Sequence, residues 1–334
     1  MNTEKLPSSG ASRHLLPQAG EGARRADEGA LGATSLNTSA DGYRSDLRIP
    51  SQLPPAPPTP ASPLAHRLGR LAVASLHAEL ACAPKPGLVT PFDNGSHADM
   101  DAATFMRSLF ALRGYFVAIA EAGARGAPFD HLRRLGIAAE AGMLRATIGV
   151  NTHRGAIFSL GLLTAQAARL HRRDGRAPAA EAACMAVSDW REALLAAPLD
   201  PRSHGQRMRA RHRVQGVREQ AADGYPLLRE IALPALRQAL AAGLDREAAL
   251  AQTLMCLVAE VDDLNLLHRG GRSGLRTAQR LARAFLAGGG AYRPQWKPRL
   301  ARIGEAFVAR RLSPGGSADL LACTWFLHCQ ERIP

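Results

Sequence analysis

The run AATFMRSLFALRGYFVAIAEAG occupies residues 102–123 and directly follows Asp101. Its apolar side chains recur at helical spacing, and an aspartate before such a run is a typical helix N-cap. Similar runs begin at Leu64 and are separated by glycine, proline or aspartate, which are common at helix ends. No alternating strand pattern and no internal repeat occur. The sequence therefore predicts an all-α fold, a single compact domain of roughly ten helices.

Composition supports this fold class. Hydrophobic residues make up 46% of the chain but aromatic residues only 5%, so alanine and leucine must form the core, which favours helices over sheets. A first helix is expected around Leu68 to Leu80, ended by Pro84 and Pro86. After residue 123, the periodicity predicts helices at about 129–147, 154–172, 178–197, 204–222, 226–242, 245–261, 274–287, 298–311 and 316–330.

The N-terminal region differs from the rest. Residues 1–63 are rich in serine, glycine, alanine and proline, and they end in PSQLPPAPPTPASP. Too few large apolar residues occur there to offset the entropy of an ordered chain. We therefore expect residues 1–63 to be a disordered extension and residues 64–334 to be the all-α catalytic domain.

Charge and cysteine content narrow the function classes. The formal net charge is +13, and six bases balance six acids in residues 1–65, so the excess lies on the helical part, which would attract anions. Base-stacking aromatics are scarce and no apolar run reaches the ~18 residues of a membrane span, so we expect phosphorylated small molecules as ligands, not nucleic acid or membrane. An arginine-coated surface without a ligand is the alternative.

Five widely spaced cysteines without a C-x-x-C pair indicate a reducing cytoplasm.

Five polar, glycine-containing segments interrupt the helical pattern. Each combines glycine with acidic, basic or amide side chains, the mixture that polyphosphate and ribose chemistry requires. No P-loop, Rossmann glycine turn or H-E-x-x-H motif is present, and no Ser/His/Asp or Cys/His set is apparent. The segments are Lys85–Asp101, Asn151–Gly155, Gly216–Pro226, Asp262–Gly271 and Leu312–Leu321.

Asp262 and Asp263 follow the apolar run LMCLVAEV. At the C-terminal end of a helix, carboxylates are disfavoured by the dipole unless a cation lies between them. Mg²⁺ binds carboxylate oxygens together with substrate phosphates, and Asn265 would add an amide oxygen. These three residues are the predicted metal site. The alternative is that both aspartates pair with surface arginines.

Several residues are candidates for binding phosphate. Lys85 stands between two prolines that extend its backbone. Asn151 or Thr152 would cap a helix, with His153 and Arg154 in its first turn, where cations oppose the dipole and suit an anionic ligand better than helix stability. Arginine or glycine at other segments would contact phosphate or permit its close approach, namely Arg218, Arg269, Gly270, Gly271, Gly315 and Gly316.

The acids of the first segment have two interpretations. Asp99 and Asp101 lie two residues apart near the start of the helix at residue 102. They are candidates for a catalytic base or for a second metal site. Alternatively, Asp101 is only a helix cap and Asp99 is only solvated.

Taken together, the segments resemble the triphosphoribosyl-dephospho-CoA synthase family. PKPGLV, DNGSHADMD, GVNTHRGAIFSLGLL, GVRE…GYP, DDLNLLHRGG and LSPGGSADLLA occur in the family's order over about residues 66–330. The resemblance implies that ATP and 3'-dephospho-CoA react to give 2'-(5''-triphosphoribosyl)-3'-dephospho-CoA and adenine. The product is the precursor of an acyl-carrier-protein prosthetic group, so the maturation machinery of such a carrier is an expected partner. Thr90 resembles the malonate decarboxylase branch, since an acid is expected there in the citrate lyase branch.

The chemistry of this reaction, in which a 2'-hydroxyl attacks C1 of the ATP ribose and adenine leaves, leads to a hypothesis for the roles of these residues. Asp262, Asp263 and Asn265 would surround Mg²⁺, with Asp99 or Asp101 as base or second metal ligand. Phosphates would be held by Lys85, Arg154 and Arg269, while His153 would be a proton carrier or phosphate ligand. Two departures are Leu264, where threonine is expected, and Gln220, where glutamate is expected.

Two other function classes fit the same residues. One is a Mg²⁺-dependent all-α nucleotide or ADP-ribosyl hydrolase, which also uses acids near helix ends. The other is a non-enzymatic module that binds nucleic acid or an acidic carrier protein through its basic surface.

Overall fold

The computed structural model describes residues 61–196 and 204–334. Within these two ranges every regular element is helical and no strand occurs, so the predicted all-α fold is confirmed. The expected disordered extension, residues 1–63, lies outside the described residues except for its last three. One of these, Ser62, caps the first helix by accepting a hydrogen bond from the Ala65 N–H.

The longer helices form the framework, and short turns join several of them. Their bounds are α1 Pro63–Ala81, α2 Ala102–Ala124, α3 Phe129–Ala146, α4 Arg154–Asp174, α5 Ala180–Ala186, α6 Arg191–Ala196, α7 His204–His212, α8 Val217–Ala222, α9 Leu233–Ala241, α10 Arg246–Glu260, α11 Leu264–Ala287, α12 Trp296–Val308 and α13 Gly315–Gln330. Single turns of 3₁₀-helix lie at Val187–Trp190 and Gly290–Tyr292, and a π-turn at Leu228–Ala232 leads into α9.

Three predicted helix bounds were wrong. The run expected at 204–222 is divided between α7 and α8, because the chain turns at Arg213, whose φ is 55°, and re-enters a helix after Gly216. The run expected at 178–197 is α5, a 3₁₀ turn and α6. The helix expected from residue 274 begins ten residues earlier, since α11 starts at Leu264 and continues past a kink at Gly271.

The core is built around α2 and α4. Helix α2 packs against α1, α3 and α4, and α4 also packs against α13. Leu112, Phe116 and Ile119 of α2 are buried. By length and composition α2 is the one described helix that would suffice to cross a membrane, but the core helix of a globular protein passes the same test. Its partners are helices of the same core.

Two loops are tied together beside this core and bring distant segments to one place. Ser96 donates a hydrogen bond of 2.6 Å to the Leu312 carbonyl oxygen. Arg269 donates to the carbonyl oxygens of Ser96 and Arg311, at 3.0 and 3.4 Å. The 85–101 loop, the start of α11 and the start of α13 are thereby held next to one another.

The crossing of α2 and α4 predicts a mutational contrast between two glycines of α2. A Cβ on Gly123 would lie 2.2 Å from the Ala165 carbonyl oxygen, whereas one on Gly114 would meet nothing within 4 Å. We expect Gly123→Ala to lower the free energy of unfolding by about 1–3 kcal/mol. Gly114→Ala should raise it by about 0.5–1 kcal/mol, since alanine favours helix. Urea unfolding of both variants measures the difference, and equal stabilities would contradict the crossing.

Candidate active site

One large cavity lies where the polar segments meet. Its volume is about 1620 Å³, and its walls include the starts of α4, α8, α11 and α13 and part of the 85–101 loop. Most of the site residues predicted from sequence line this cavity. The lining members are Asp99, Asn151, His153, Arg154, Arg218, Asp262, Asp263, Asn265, Arg269, Gly315 and Gly316. Lys85, Asp101, Gly270 and Gly271 do not line it.

Asp263 joins two helix N-termini. Its side chain is buried, and Oδ1 accepts hydrogen bonds from the backbone N–H groups of Asn265 and Leu266, at 2.8 and 3.3 Å. Oδ2 accepts from the N–H and the hydroxyl of Ser317, at 2.8 and 2.9 Å. Burial raises the pKa of the Asp263 carboxyl, while these four bonds favour its ionised form. The carboxyl therefore clamps the start of α11 to the start of α13.

This geometry corrects the helix-dipole argument made from sequence. Helix α10 ends at Glu260, and Asp263 is the N-cap of α11, so its carboxyl lies at the favourable end of a dipole. Asp263 therefore needs no cation to be tolerated. Asp262 is different, because its side chain is exposed at the cavity wall and remains accessible to a ligand.

The NTHRG segment also differs from its expected form. Helix α4 begins at Arg154, Asn151 Oδ1 accepts the Arg154 N–H at 3.1 Å, and His153 is the N-cap residue and is buried. Burial, and then the charge of Lys85, lower the pKa of His153 to about 3. His153 is therefore neutral at physiological pH, which opposes the expected role as a cation or proton carrier. Arg154 forms an ion pair with Glu140, which offsets its charge.

The two ring nitrogens of His153 have different environments. Its Nδ1 lies 2.7 Å from the Ser108 hydroxyl, and its ring meets Phe105 edge-on at 4.9 Å between centroids. Its Nε2 is buried without a hydrogen-bond partner among the described residues. A buried polar atom of this kind in a cavity wall is suited to a hydrogen bond with a ligand.

Asp319 is the main residue that the sequence did not single out. It lies on α13 and lines the cavity. A Cβ on Gly155 would lie 2.0 Å from Asp319 Oδ2, so the glycine of NTHRG makes room for this carboxyl. Burial first, and then the charges of Glu79 and Asp263, raise the pKa of Asp319 well above its ordinary value, against a hydrogen bond from the Ala156 N–H. Its signal in the sequence was its place within SPGGSADLL.

Lys85 is not placed as a phosphate ligand. Its side chain is buried, and its Nζ donates to the Glu79 carbonyl oxygen at 2.6 Å and forms an ion pair with the Glu79 carboxylate. Glu79 itself lines the cavity. The lysine between two prolines thus supplies a buried positive charge behind the wall, close enough to depress the pKa of His153.

The residues around Arg269 hold a loop in place. Nε2 of His97 forms a hydrogen bond of 2.9 Å with the Ser313 hydroxyl. Its Nδ1 lies 2.9 Å from Arg269 Nη2. Asp99 is exposed, with Oδ1 at 3.6 Å from the same Nδ1. Asp101 caps α2 by accepting the Thr104 N–H at 2.7 Å, so its interpretation as a cap is confirmed.

The glycines of the two later segments make close packing possible. A Cβ on Gly315 would lie 2.7 Å from Asn265 Nδ2, and one on Gly316 would lie 3.2 Å from Asp263 Oδ2. Gly270 faces Leu312, with a Cβ distance of 2.6 Å, and Gly271 has a φ of 60° at the kink of α11. Gly315 and Gly316 therefore shape the cavity wall, while Gly270 and Gly271 shape the helix behind it.

The two departures from the family pattern, Gln220 and Leu264, both lie beside the start of α8. Glu219 accepts the Gly216 N–H at 2.8 Å as a capping residue and pairs with Arg209. Gln220 donates to Gln215 at 3.2 Å and lines the cavity, as does Leu264, which packs near Gly216. The side chain that replaces the expected glutamate thus keeps an amide group in the cavity wall.

Comparison with known proteins bears on the same residues. A family model described as CitG: ATP:dephospho-CoA triphosphoribosyl transferase matches residues 65–333, which include every segment of the cavity wall. The chain belongs to this family. It is thus a transferase, a triphosphoribosyl-dephospho-CoA synthase, for which ATP and dephospho-CoA are fitting substrates.

Curated relatives agree with the CitG family assignment. The chain is 42% identical to the 2-(5''-triphosphoribosyl)-3'-dephosphocoenzyme-A synthase of Pectobacterium atrosepticum, over 76% of this chain and 86% of the relative. It is 39% identical to a probable synthase of the same name from Acinetobacter calcoaceticus, over 79% of this chain and 90% of that protein. No solved structure matches the chain significantly.

The raised pKa of Asp319 predicts how the stability of the protein changes with pH. Its folded-state pKa is raised above the unfolded value of about 3.9, so its contribution to stability is complete below that pH and is lost as pH rises toward the raised pKa. We expect Asp319→Asn to raise the free energy of unfolding at pH 8 relative to the wild type, with a smaller gain at pH 4.5. Urea unfolding at the two pH values measures this.

The matched control is Asp130→Asn on the exposed face of α3. Hydrogen bonding to Arg133 is the main cause of its lowered pKa, so its replacement should not raise stability at pH 8. If Asp319→Asn raised the free energy of unfolding equally at both pH values, the folded-state pKa of this carboxyl would not be raised by burial.

Proposed function

We propose that the protein transfers the 5-triphosphoribosyl group of ATP to the 2'-hydroxyl of 3'-dephospho-CoA and releases adenine, with the chemistry in the cavity described above. The observation that carries this proposal is the meeting of three long helices, α4, α11 and α13, whose N-termini and acidic side chains line one cavity. Its volume of about 1620 Å³ exceeds the ~1,000 Å³ of large single-ligand pockets, which suits two nucleotides.

The triphosphate has to stay intact and be held. Backbone N–H groups at helix N-termini attract anions because the positive end of the dipole lies there. The starts of α4 and α13, at Arg154 and Gly315, are therefore the proposed phosphate sites, with Arg218 of α8 as a guanidinium on the same wall. Arg269 acts mainly on the 85–101 loop, which it orders through Ser96 and His97.

The start of α11 offers two oxygen ligands for a magnesium ion, the side chains of Asp262 and Asn265. Among the residues described, no group of three His, Cys, Asp or Glu side chains is arranged to hold a metal. Mg²⁺, however, is commonly bound by one or two protein oxygens together with substrate phosphates. Asp262 and Asn265 are exposed on the wall and would supply them. Mg²⁺ would neutralise phosphate charge there, and Asp263 would position both residues through its bonds to α11 and α13.

The ribosyl transfer requires acid–base groups. Cleavage of the bond from C1' to adenine develops oxocarbenium character, which a nearby carboxylate stabilises, and the leaving adenine requires a proton. Asp262, Asp99 and Glu260 are exposed carboxylates of the wall. Glu260 pairs with Arg283, and the other two are the proposed partners of the ribosyl cation and the attacking hydroxyl. Asp319, whose pKa is raised by burial, is the wall acid best suited to carry a proton. His153 would contact substrate through Nε2 as a neutral ring.

We also propose the malonate decarboxylase branch and a cytoplasmic location. Support for the branch comes from Thr90, which is buried and donates a hydrogen bond of 2.9 Å to Asp93 Oδ2. An acid at this position would bring two carboxylates together, which is costly. The location is supported by the substrates and by five cysteines without a disulfide among the described residues.

The central test measures adenine by chromatography after incubation with ATP, Mg²⁺ and 3'-dephospho-CoA. We expect release that depends on both Mg²⁺ and dephospho-CoA; release from ATP alone would indicate a hydrolase instead. Asp262→Asn should lower the rate about a hundredfold. The control Asp189→Asn, an exposed residue outside the cavity that pairs with Arg169, should not change it. A wild-type rate for Asp263→Asn would contradict the assignment of the α11 start.

The branch has its own test. Deletion of the gene in its source organism is expected to abolish malonate decarboxylase activity, because its carrier protein would lack the prosthetic group. Citrate lyase activity, if the organism has it, should be retained. The opposite pattern would assign the enzyme to citrate lyase.

A further inference from the structure

One wall of the cavity is apolar and is formed by a single face of α3. After Phe129, the residues of α3 that line the cavity come in adjacent pairs that recur every four residues up to Leu144, which places them on one side of the helix. Six of the eight are apolar, and one of these, Gly136, leaves a gap in the wall. They are Phe129, Leu132, Arg133, Gly136, Ile137, Glu140, Ala141 and Leu144.

Other helices complete this wall with similar side chains. Phe158 and Leu162 of α4, Leu194 of α6 and Val217 of α8 line the same cavity. Ile137 is 57% exposed and Val217 is 37% exposed, which is high for large apolar side chains that face a cavity. A ligand with an apolar portion would remove this surface from water.

The apolar wall adjoins the polar region through an ion pair. Glu140 of α3 binds Arg154, the first residue of α4, so this part of α3 lies beside the NTHRG segment. From Glu140 back to Phe129 the helix extends about 16 Å, at 1.5 Å per residue. Phe129 packs against Trp190 at 6.0 Å between ring centroids at the far end.

We infer that this wall binds the pantetheine arm of 3'-dephospho-CoA. The inference rests on the proposed function, which supplies the substrate. The arm has a chain of about thirteen atoms, so it extends about 14 Å at the ~3.5 Å per three bonds of an extended chain. Its geminal methyl groups and methylenes match the aliphatic side chains, and its amides match Arg133 and Glu140.

A purine is the competing occupant, and the wall suits it less well. The wall is longer than a purine ring. Bases commonly stack on aromatic or guanidinium planes, and the wall offers such planes only at Phe129, which packs against Trp190, at Phe158 and at Arg133, among aliphatic side chains. The polar end, next to Arg154, suits the diphosphate that joins the arm to the nucleotide.

The test compares two glycines of α3. Gly136 lines the cavity and Gly142 does not; a Cβ on either would meet one atom, at 3.8 Å. Replacement by leucine should favour the helix at both positions, so both variants are expected to fold. We expect Gly136→Leu to raise the Kd of dephospho-CoA, measured by titration calorimetry, about tenfold by filling the wall. Gly142→Leu should leave this Kd unchanged.

Two nucleotides without the arm distinguish the occupants. The Kd values of ADP and ATP should be the same for Gly136→Leu and the wild type. If these values rise as much as that of dephospho-CoA, the wall binds the purine and the inference is wrong. An unchanged Kd for dephospho-CoA would also overturn it.

A second pair of variants changes polarity instead of volume. Ile137→Glu places a charge on the wall, while Ile148→Glu places one on an 88% exposed residue outside the cavity. Only the first should weaken dephospho-CoA binding. These Kd values are measured without turnover, so they decide the occupant of the wall whether or not the enzyme releases adenine. Absence of adenine release by the wild type would count against the proposed function instead.

Discussion

The carboxyl of Asp263 is the contact on which the site depends. It accepts hydrogen bonds from two N–H groups at the start of α11 and from the N–H and hydroxyl of Ser317 on α13. A buried carboxyl is costly unless its oxygens are hydrogen-bonded, and here all four donors come from the two helices whose starts form the cavity wall. Loss of this group would separate the helix starts and displace Asp262, Asn265 and Asp319 together.

Glycines allow the same region to pack closely. Gly155 makes room for Asp319, Gly316 for Asp263 and Gly315 for Asn265. A side chain at any of these positions would collide with a polar group. The glycines therefore allow the backbone and the carboxylates to pack together in one wall of the cavity. Burial raises the pKa of both Asp263 and Asp319, and the nearby charges of Glu79 and Asp263 raise that of Asp319 further, an arrangement more common at functional sites than in an ordinary core.

Much of this site could be predicted from sequence, but some roles could not. The five polar segments do meet at one cavity, and Asp262, Asn265, Arg154 and Arg218 line it. The roles of Lys85 and His153 do not follow from sequence, because burial decides their chemistry: the lysine is enclosed with Glu79, and the histidine is held neutral. Asp319 lies one turn inside α13, where its spacing in the sequence resembles that of any polar helical residue.

By itself, the sequence determined the helical fold, the positions of most helices and the family, since periodicity, caps and ordered motifs are local properties of the chain. The tertiary structure decided which helix each motif begins, as at Asp263, and which charges are buried. It also decided that one face of α3 forms an apolar wall of the same cavity. These properties depend on contacts between residues far apart in the chain, such as Gly155 with Asp319, and no local pattern records them.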